Sequence, residues 1–157
     1  MLGQTDILEY FKNEGYDVMH ITSKFGAVIN GKKVGREEFF QTLQSWGADD
    51  TRHFVIFHYS ILSEGINVPG LTHTILLRNL PIIEMAQTIG RVIRVHKDDR
   101  AAVAEGRIPA GAFHLYKKSE GVVTMPTGYK MGNAIAQRLQ NVVNAIFIEG
   151  RPPMAFC

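Results

Sequence analysis

A short stretch near the middle of the chain, Gln87-Thr-Ile-Gly90-Arg91-Val-Ile-Arg94, sets two guanidinium groups three positions apart beside a carboxamide and a glycine. If the stretch is helical, one turn projects both arginines towards the same side. A guanidinium is planar, always charged and matched to phosphate oxygens, so the pair could stabilise charge that develops on a transferring phosphoryl group. Gly90 permits close backbone approach. Taken alone, an R-x-x-R pattern is otherwise a solvated helix face.

A second stretch, Gly26-Ala-Val-Ile-Asn-Gly31-Lys32-Lys33, comes close to the phosphate-loop pattern G-x-x-x-x-G-K-[ST]. Lys33 replaces the hydroxyl that should hold Mg²⁺, and Ala-Val-Ile fills the part that must wrap phosphates, so the pattern is rejected. A β-hairpin turning at Asn30-Gly31 explains the same residues better. Its Lys24, Lys32, Lys33 and Arg36 form a local basic cluster, which fits either a nucleic-acid backbone contact or an ordinary solvated hairpin. The single cysteine, Cys157, and six histidines without paired ligand spacing predict no metal site. His58 and His73 read as core or satisfied polar residues, and no Ser/His/Asp arrangement carries a nucleophile signature.

The elements that must position these residues follow from periodicity. Helical spacing runs from Asp6 to Glu14, with Gly15 as its stop, and a strand follows over Tyr16 to Thr22. Arg36 to Trp46 is helical, with Trp46 expected in the core. His53 to Tyr59 and Thr72 to Leu77 are apolar runs suited to strands buried on both faces. Pro81 opens a helix through Met85, Ile89 and Ile93, and the polar stretch from His96 to Gly111 follows it. Ala112 to Tyr116 reads as a strand paired with Val122 to Met125, and Gly128 to Glu149 as a long amphipathic helix. The alternation predicts an α/β, three-layer fold on a mostly parallel sheet.

With those elements in place, residues 54–95 resemble motifs V and VI in the second RecA-like domain of superfamily 2 helicases and translocases. Ser60-Ile-Leu-Ser-Glu-Gly65-Ile-Asn67-Val-Pro69 matches motif V, and Gln87 to Arg94 matches the Q-x-x-G-R-x-x-R of motif VI. The wording is closest to the DNA-directed branch that contains excision-repair and restriction-enzyme motors. The resemblance implies a RecA-like (P-loop NTPase-like) domain over 1–125, with residues 126–157 as a helical extension packed on it. It implies catalytic roles for Arg94 as the γ-phosphate finger, Arg91 in support and Gln87 as a nucleotide sensor. Gly65, Asn67 and Gly90 would line the nucleotide, Asn67 standing where the family usually carries Asp. Tyr59 and Ser60, with Lys24, Lys32 and Lys33, would touch the nucleic-acid backbone.

ATP with Mg²⁺ is the implied cofactor, the metal being held by an N-terminal RecA-like domain that this chain lacks. The partners are that domain and DNA, with RNA open as the alternative. The chain alone is expected to be inactive as an ATP hydrolase. The family's second domain opens with an apolar strand, for which MLGQTDILEY leaves no room, so Met1 is not expected to be the motor's natural start.

Composition bounds this reading. A chain of 157 residues has the length of one ordinary domain, which the resemblance would make half of a helicase motor. At 45% hydrophobic and 20% charged it can bury a core. No apolar run reaches the roughly 18 residues of a membrane span, and no leader pattern is present, so a cytoplasmic protein without membrane contact is expected. The net charge of +2 decides nothing about nucleic acid. The competing class is a non-catalytic module that keeps the fold to bind nucleic acid or protein.

Overall fold

The computed structural model describes residues 4–59, 68–126 and 130–146. The chain is mixed α/β, with five α-helices and six strands among the described residues. Its contacts divide it into two units, Met1–Gly70 and Leu71–Cys157.

The first unit opens with α1 (Gln4–Asn13). Gly15 ends it at a φ of 82°, and the turn is a Schellman motif: the Gly15 N–H donates to the Lys12 carbonyl at 3.0 Å and the Tyr16 N–H to the Phe11 carbonyl at 2.9 Å. The Phe11 and Tyr16 rings meet edge-on at 5.8 Å, the apolar contact that accompanies this motif.

The chain then enters a four-stranded sheet of order β3-β2-β1-β4. Central β1 (Asp17–Thr22) pairs parallel with β4 (Phe54–His58), Asp17 opposite Phe54 and Ile21 opposite His58. On its other side β1 pairs antiparallel with β2 (Gly26–Ile29), which turns into edge strand β3 (Lys32–Val34). The expected hairpin is present, with Asn30 at φ 49° and Gly31 at φ 87°. A two-residue turn with both φ values positive matches the strand twist. The Asn30 Oδ1 accepts the Val18 N–H at 2.8 Å while its Nδ2 donates to Asp17 at 2.7 Å, tying the turn to β1.

This sheet is mixed where the alternation of elements predicts a mostly parallel one. The hairpin inserted between β1 and the next helix is the cause, since strands joined by a two-residue turn can only run antiparallel. Helix α2 (Arg36–Ala48) then returns the chain to β4, burying Phe39 and Leu43 completely. Phe54 and Phe57 point to opposite faces of β4. Trp46 of α2 meets Phe54 at 5.7 Å and Phe11 of α1 meets Phe57 at 5.8 Å, so the two helices flank opposite faces of the sheet. Trp46 is half-buried rather than core, and the Arg52 guanidinium lies over its ring at 4.8 Å.

The second unit holds a two-stranded parallel pair, β5 (His73–Ile75) and β6 (Val122–Thr124), with His73 opposite Val122. Both expected buried strands are shorter and less covered than their apolar sequence predicts. β4 is half-buried along Phe54 to Phe57, and β5 exposes His73 and Ile75. Helix α3 (Ile82–Val92) begins after Pro81 and buries Met85, Ile89 and Val92 at helical spacing. Together with Leu76 and Leu80, Met85 and Ile89 pack against Ile135 and Val142 of the final described helix, α5 (Lys130–Ile146). Arg138 of α5 donates to the Leu80 carbonyl at 2.6 Å, which fastens α5 to the segment leading into α3.

This unit contains a helix that periodicity did not assign and lacks one expected strand. The polar stretch after His96 carries helix α4 (Lys97–Ala104), whose N-terminus is capped by the His96 Nδ1 accepting the Asp98 N–H at 3.2 Å. Ala112 to Tyr116 is not a strand but contains a 3₁₀ turn, Phe113–Leu115. Its backbone is satisfied locally, Leu115 N–H to Ala112 at 2.9 Å and Tyr116 N–H to Phe113 at 3.1 Å, and β6 pairs with β5 instead. No helix among the described residues is long and apolar enough to cross a membrane.

Candidate functional site

The arginine pattern lies at the C-terminal end of α3. Gln87 is exposed on the helix, and Gly90 has nothing within 4 Å of the position a Cβ would take. The last α3 bond runs from the Ile93 N–H to the Ile89 carbonyl at 3.0 Å, and Arg94 falls just beyond the helix. The two arginines therefore do not share one helical turn as their spacing predicts. Arg91 is 8% exposed, whereas Arg94 is exposed. Burial lowers the Arg91 pKa, and the neighbouring Arg94 charge pushes in the same direction. The pair thus separates into an arginine built into the fold and one presented outward.

Three residues that sequence reasoning missed set the end of this helix. The Lys118 Nζ donates to the carbonyls of Leu71 at 2.7 Å, Arg94 at 2.9 Å and Val92. All three ammonium donors are used on main-chain oxygens. Burial lowers the Lys118 pKa. Asp99 of α4, 3% exposed, fixes the lysine's own backbone by accepting the N–H groups of Lys117 at 2.7 Å and Lys118 at 3.0 Å. Burial alone would raise the Asp99 pKa. The hydrogen bonds from Lys118 and Lys117, with the charges of His96 and Lys117, reverse this and hold it below its ordinary value. Gly121 completes the contact, since a Cβ there would lie 2.5 Å from the Val92 oxygen. No local pattern marks Lys118, whose partners lie between 19 and 47 positions away.

The candidate nucleic-acid residues lie in the first unit. Lys32 and Lys33 are exposed on edge strand β3 and point to alternate faces. Lys24 is exposed in the turn between β1 and β2, its ammonium 5.4 Å from the Phe25 ring centre. Arg36 lies 5.2 Å over the Phe40 ring. The structure adds Lys12, whose Nζ is 3.5 Å from where a Gly31 Cβ would stand. Only its helical position, remote in sequence from the turn, hid it. Tyr59 is 66% exposed just after β4.

Ser60, Gly65 and Asn67 lie outside the described residues. The end of the same motif is described and is tightly seated. A Cβ on Gly47 of α2 would lie 2.5 Å from the Pro69 oxygen, and one on Gly70, at φ 69°, would lie 2.5 Å from the Gly47 oxygen. Pro69 therefore packs backbone against backbone on α2, with Val68 buried beside it in the sequence.

No protein-family model, no curated protein and no solved structure matches the chain.

Proposed function

We propose that this chain is the second RecA-like domain of an ATP-dependent DNA helicase or translocase, supplying arginine fingers to a nucleotide site completed by another domain. The observation that carries the reading is the ordered pair of patterns, Ser60 to Pro69 and Gln87 to Arg94, with the second placed so that Arg94 is exposed and Arg91 is buried. Those unlike environments suit a division of labour in which Arg94 reaches phosphate and Arg91 supports the segment. Helices on opposite faces of the first unit's sheet also suit a three-layer RecA-like design.

The donor chemistry fits ATP. Exposed Arg94 and Gln87 offer cationic and amide donors, and the open space beside Gly90 leaves room for a phosphate or a facing backbone. When bound, ATP supplies the phosphoryl group whose cleavage drives the motor. Arg94 would neutralise charge on the transferring oxygens, an effect on the order of 10³–10⁵ in rate for arginine fingers. Arg91 would hold the helix end, and Gln87 would report nucleotide occupancy. Gly65 and Asn67 would border the ribose, an Asn carbonyl accepting its hydroxyls in place of the usual carboxylate. Mg²⁺ would be held by the other domain. Tyr59, Ser60, Lys24, Lys32 and Lys33 would meet the nucleic-acid backbone, with closure between domains moving the strand.

Joining the chain to an N-terminal RecA-like domain with a phosphate loop and acidic motif is expected to give ATP hydrolysis stimulated by DNA. Arg94→Ala then removes most turnover and spares nucleotide binding. Near-native turnover in that variant sinks the finger assignment. DNA binding without any hydrolysis in the joined protein favours the non-catalytic module.

A further inference from the structure

We propose that Lys118 is the positioning residue for Arg94: by gathering the Val92 and Arg94 carbonyls it fixes the direction in which the Arg94 side chain leaves the end of α3. The inference rests on the reading of Arg94 as the phosphate-facing residue.

The last carbonyls of a helix have no partner within it. They are commonly closed by a glycine in the left-handed region just after the cap, but here Ile93 is the cap and the residue after it is Arg94, which is not among the residues with positive φ. The Lys118 ammonium takes that role, binding the carbonyl before Ile93 and the one after it. A cation also suits the negative end of the helix dipole. Its third bond, to Leu71, ties the helix end to the segment entering β5. The lysine is itself held at the main chain by the Asp99 carboxylate. Gly121, three positions on, is pressed against the same Val92 carbonyl. Asp99, Lys118 and Gly121 thus clamp the Val92–Ile93 and Arg94–Val95 peptide groups, which bracket Ile93 and Arg94.

A half-buried ammonium is a costly way to fill space, since an apolar side chain of similar length would bury without a desolvation penalty. What methionine cannot do is hold three carbonyls in one arrangement. Lys118 acts on the direction of the finger through the backbone, without touching phosphate itself.

The test is residue-resolved hydrogen exchange on the full chain. In Lys118→Met the Ile93 amide is expected to exchange about tenfold faster or more, as the Val92 carbonyl of its own peptide group and the Arg94 carbonyl beyond it lose their donor. Amides of α2 keep native rates, which separates local release from general loss of stability. Aminoethylation of Lys118→Cys in a Cys157→Ser background, which rebuilds an ammonium of nearly lysine length, returns Ile93 to its native rate. If Lys118→Met does not fold, Lys118→Gln is measured in the same way. Native exchange at Ile93 in the variant, or no recovery after aminoethylation, overturns the proposal. In the joined protein, Lys118→Met lowers kcat with little change in KM for ATP. Native turnover in Arg94→Ala overturns the finger reading whatever the exchange rates, whereas native exchange in Lys118→Met overturns the positioning role with the finger reading intact.

Discussion

Gly121 and the Val92 carbonyl are packed so closely that a single methyl group between them would sit 2.5 Å from the oxygen. The obstacle is backbone at the end of α3, which cannot swing away as a flexible side chain would. Gly121→Ala should therefore destabilise the second unit by about 1–3 kcal/mol, the scale of overpacking in a fixed site. Chemical denaturation followed at α3 checks this. A loss below about 0.5 kcal/mol, typical of a surface change, would show that the contact is loose.

The contrast between Arg91 and Arg94 makes a second prediction. Arg91→Ala removes a buried side chain from the fold and should cost about 1–3 kcal/mol, whereas Arg94→Ala at the exposed position should stay within about 0.5 kcal/mol. Urea midpoints of the two variants decide it. Equal losses would contradict the division between a built-in and a presented arginine.

Much of the first unit was legible because its signals are local. Gly15 stops α1, Asn30-Gly31 makes the hairpin turn, and Phe39 and Leu43 recur at helical spacing, so each element is specified within a few residues. The second unit was read less well. Phe113 and Leu115 look like strand residues, yet the turn closes its own hydrogen bonds, and the polar stretch after His96 has no apolar period to mark a helix although a cap and early acids start α4. For the site, the pattern located Arg91 and Arg94, but their unlike burial depends on where α3 ends. Lys118 and Asp99 set that point from outside the helix, and a contact spanning more than twenty positions leaves no periodic trace.

The hairpin turn offers a sharper test of backbone conformation. Asn30 stands at φ 49° and makes two side-chain bonds to β1. Both Asn30→Gly and Asn30→Ala lose those bonds, but only alanine also pays a left-handed backbone penalty of about 1–2 kcal/mol. The glycine variant should therefore be more stable than the alanine variant by about that amount. Thermal melts that rank them the other way would reject the turn geometry.

If the hairpin meets a nucleic-acid backbone, Lys32 and Lys33 act as phosphate contacts. Each lysine-to-alanine change should weaken binding to all DNA sequences alike and reduce the slope of log K against log salt by roughly 0.9 on duplex DNA. Fluorescence anisotropy across a salt series measures it. An unchanged slope in the double variant would leave these lysines as ordinary solvated edge residues, which keep a sheet edge from pairing with another chain.

Asp99 gives the pH dependence its sign. Its folded pKa lies below the ordinary value of 3.8, because the Lys118 and Lys117 N–H groups and nearby charges outweigh burial. A carboxylate lowered in this way adds stability that is fully present above its unfolded pKa and disappears as pH falls through its folded pKa. Acidification below about pH 4 should therefore loosen the segment that carries Lys118, beginning at the Lys117 and Lys118 amides. Asp99→Asn keeps the shape but retains only one good acceptor, so it should be less stable than the native chain at pH 7. Below pH 4 its stability should fall less steeply, and the two curves should converge. Denaturation midpoints from pH 7 to pH 2 supply the comparison, the difference between the curves isolating Asp99 from other acids that titrate in the same range. Parallel curves across that range would mean that the Asp99 charge does no more for the fold than an amide does.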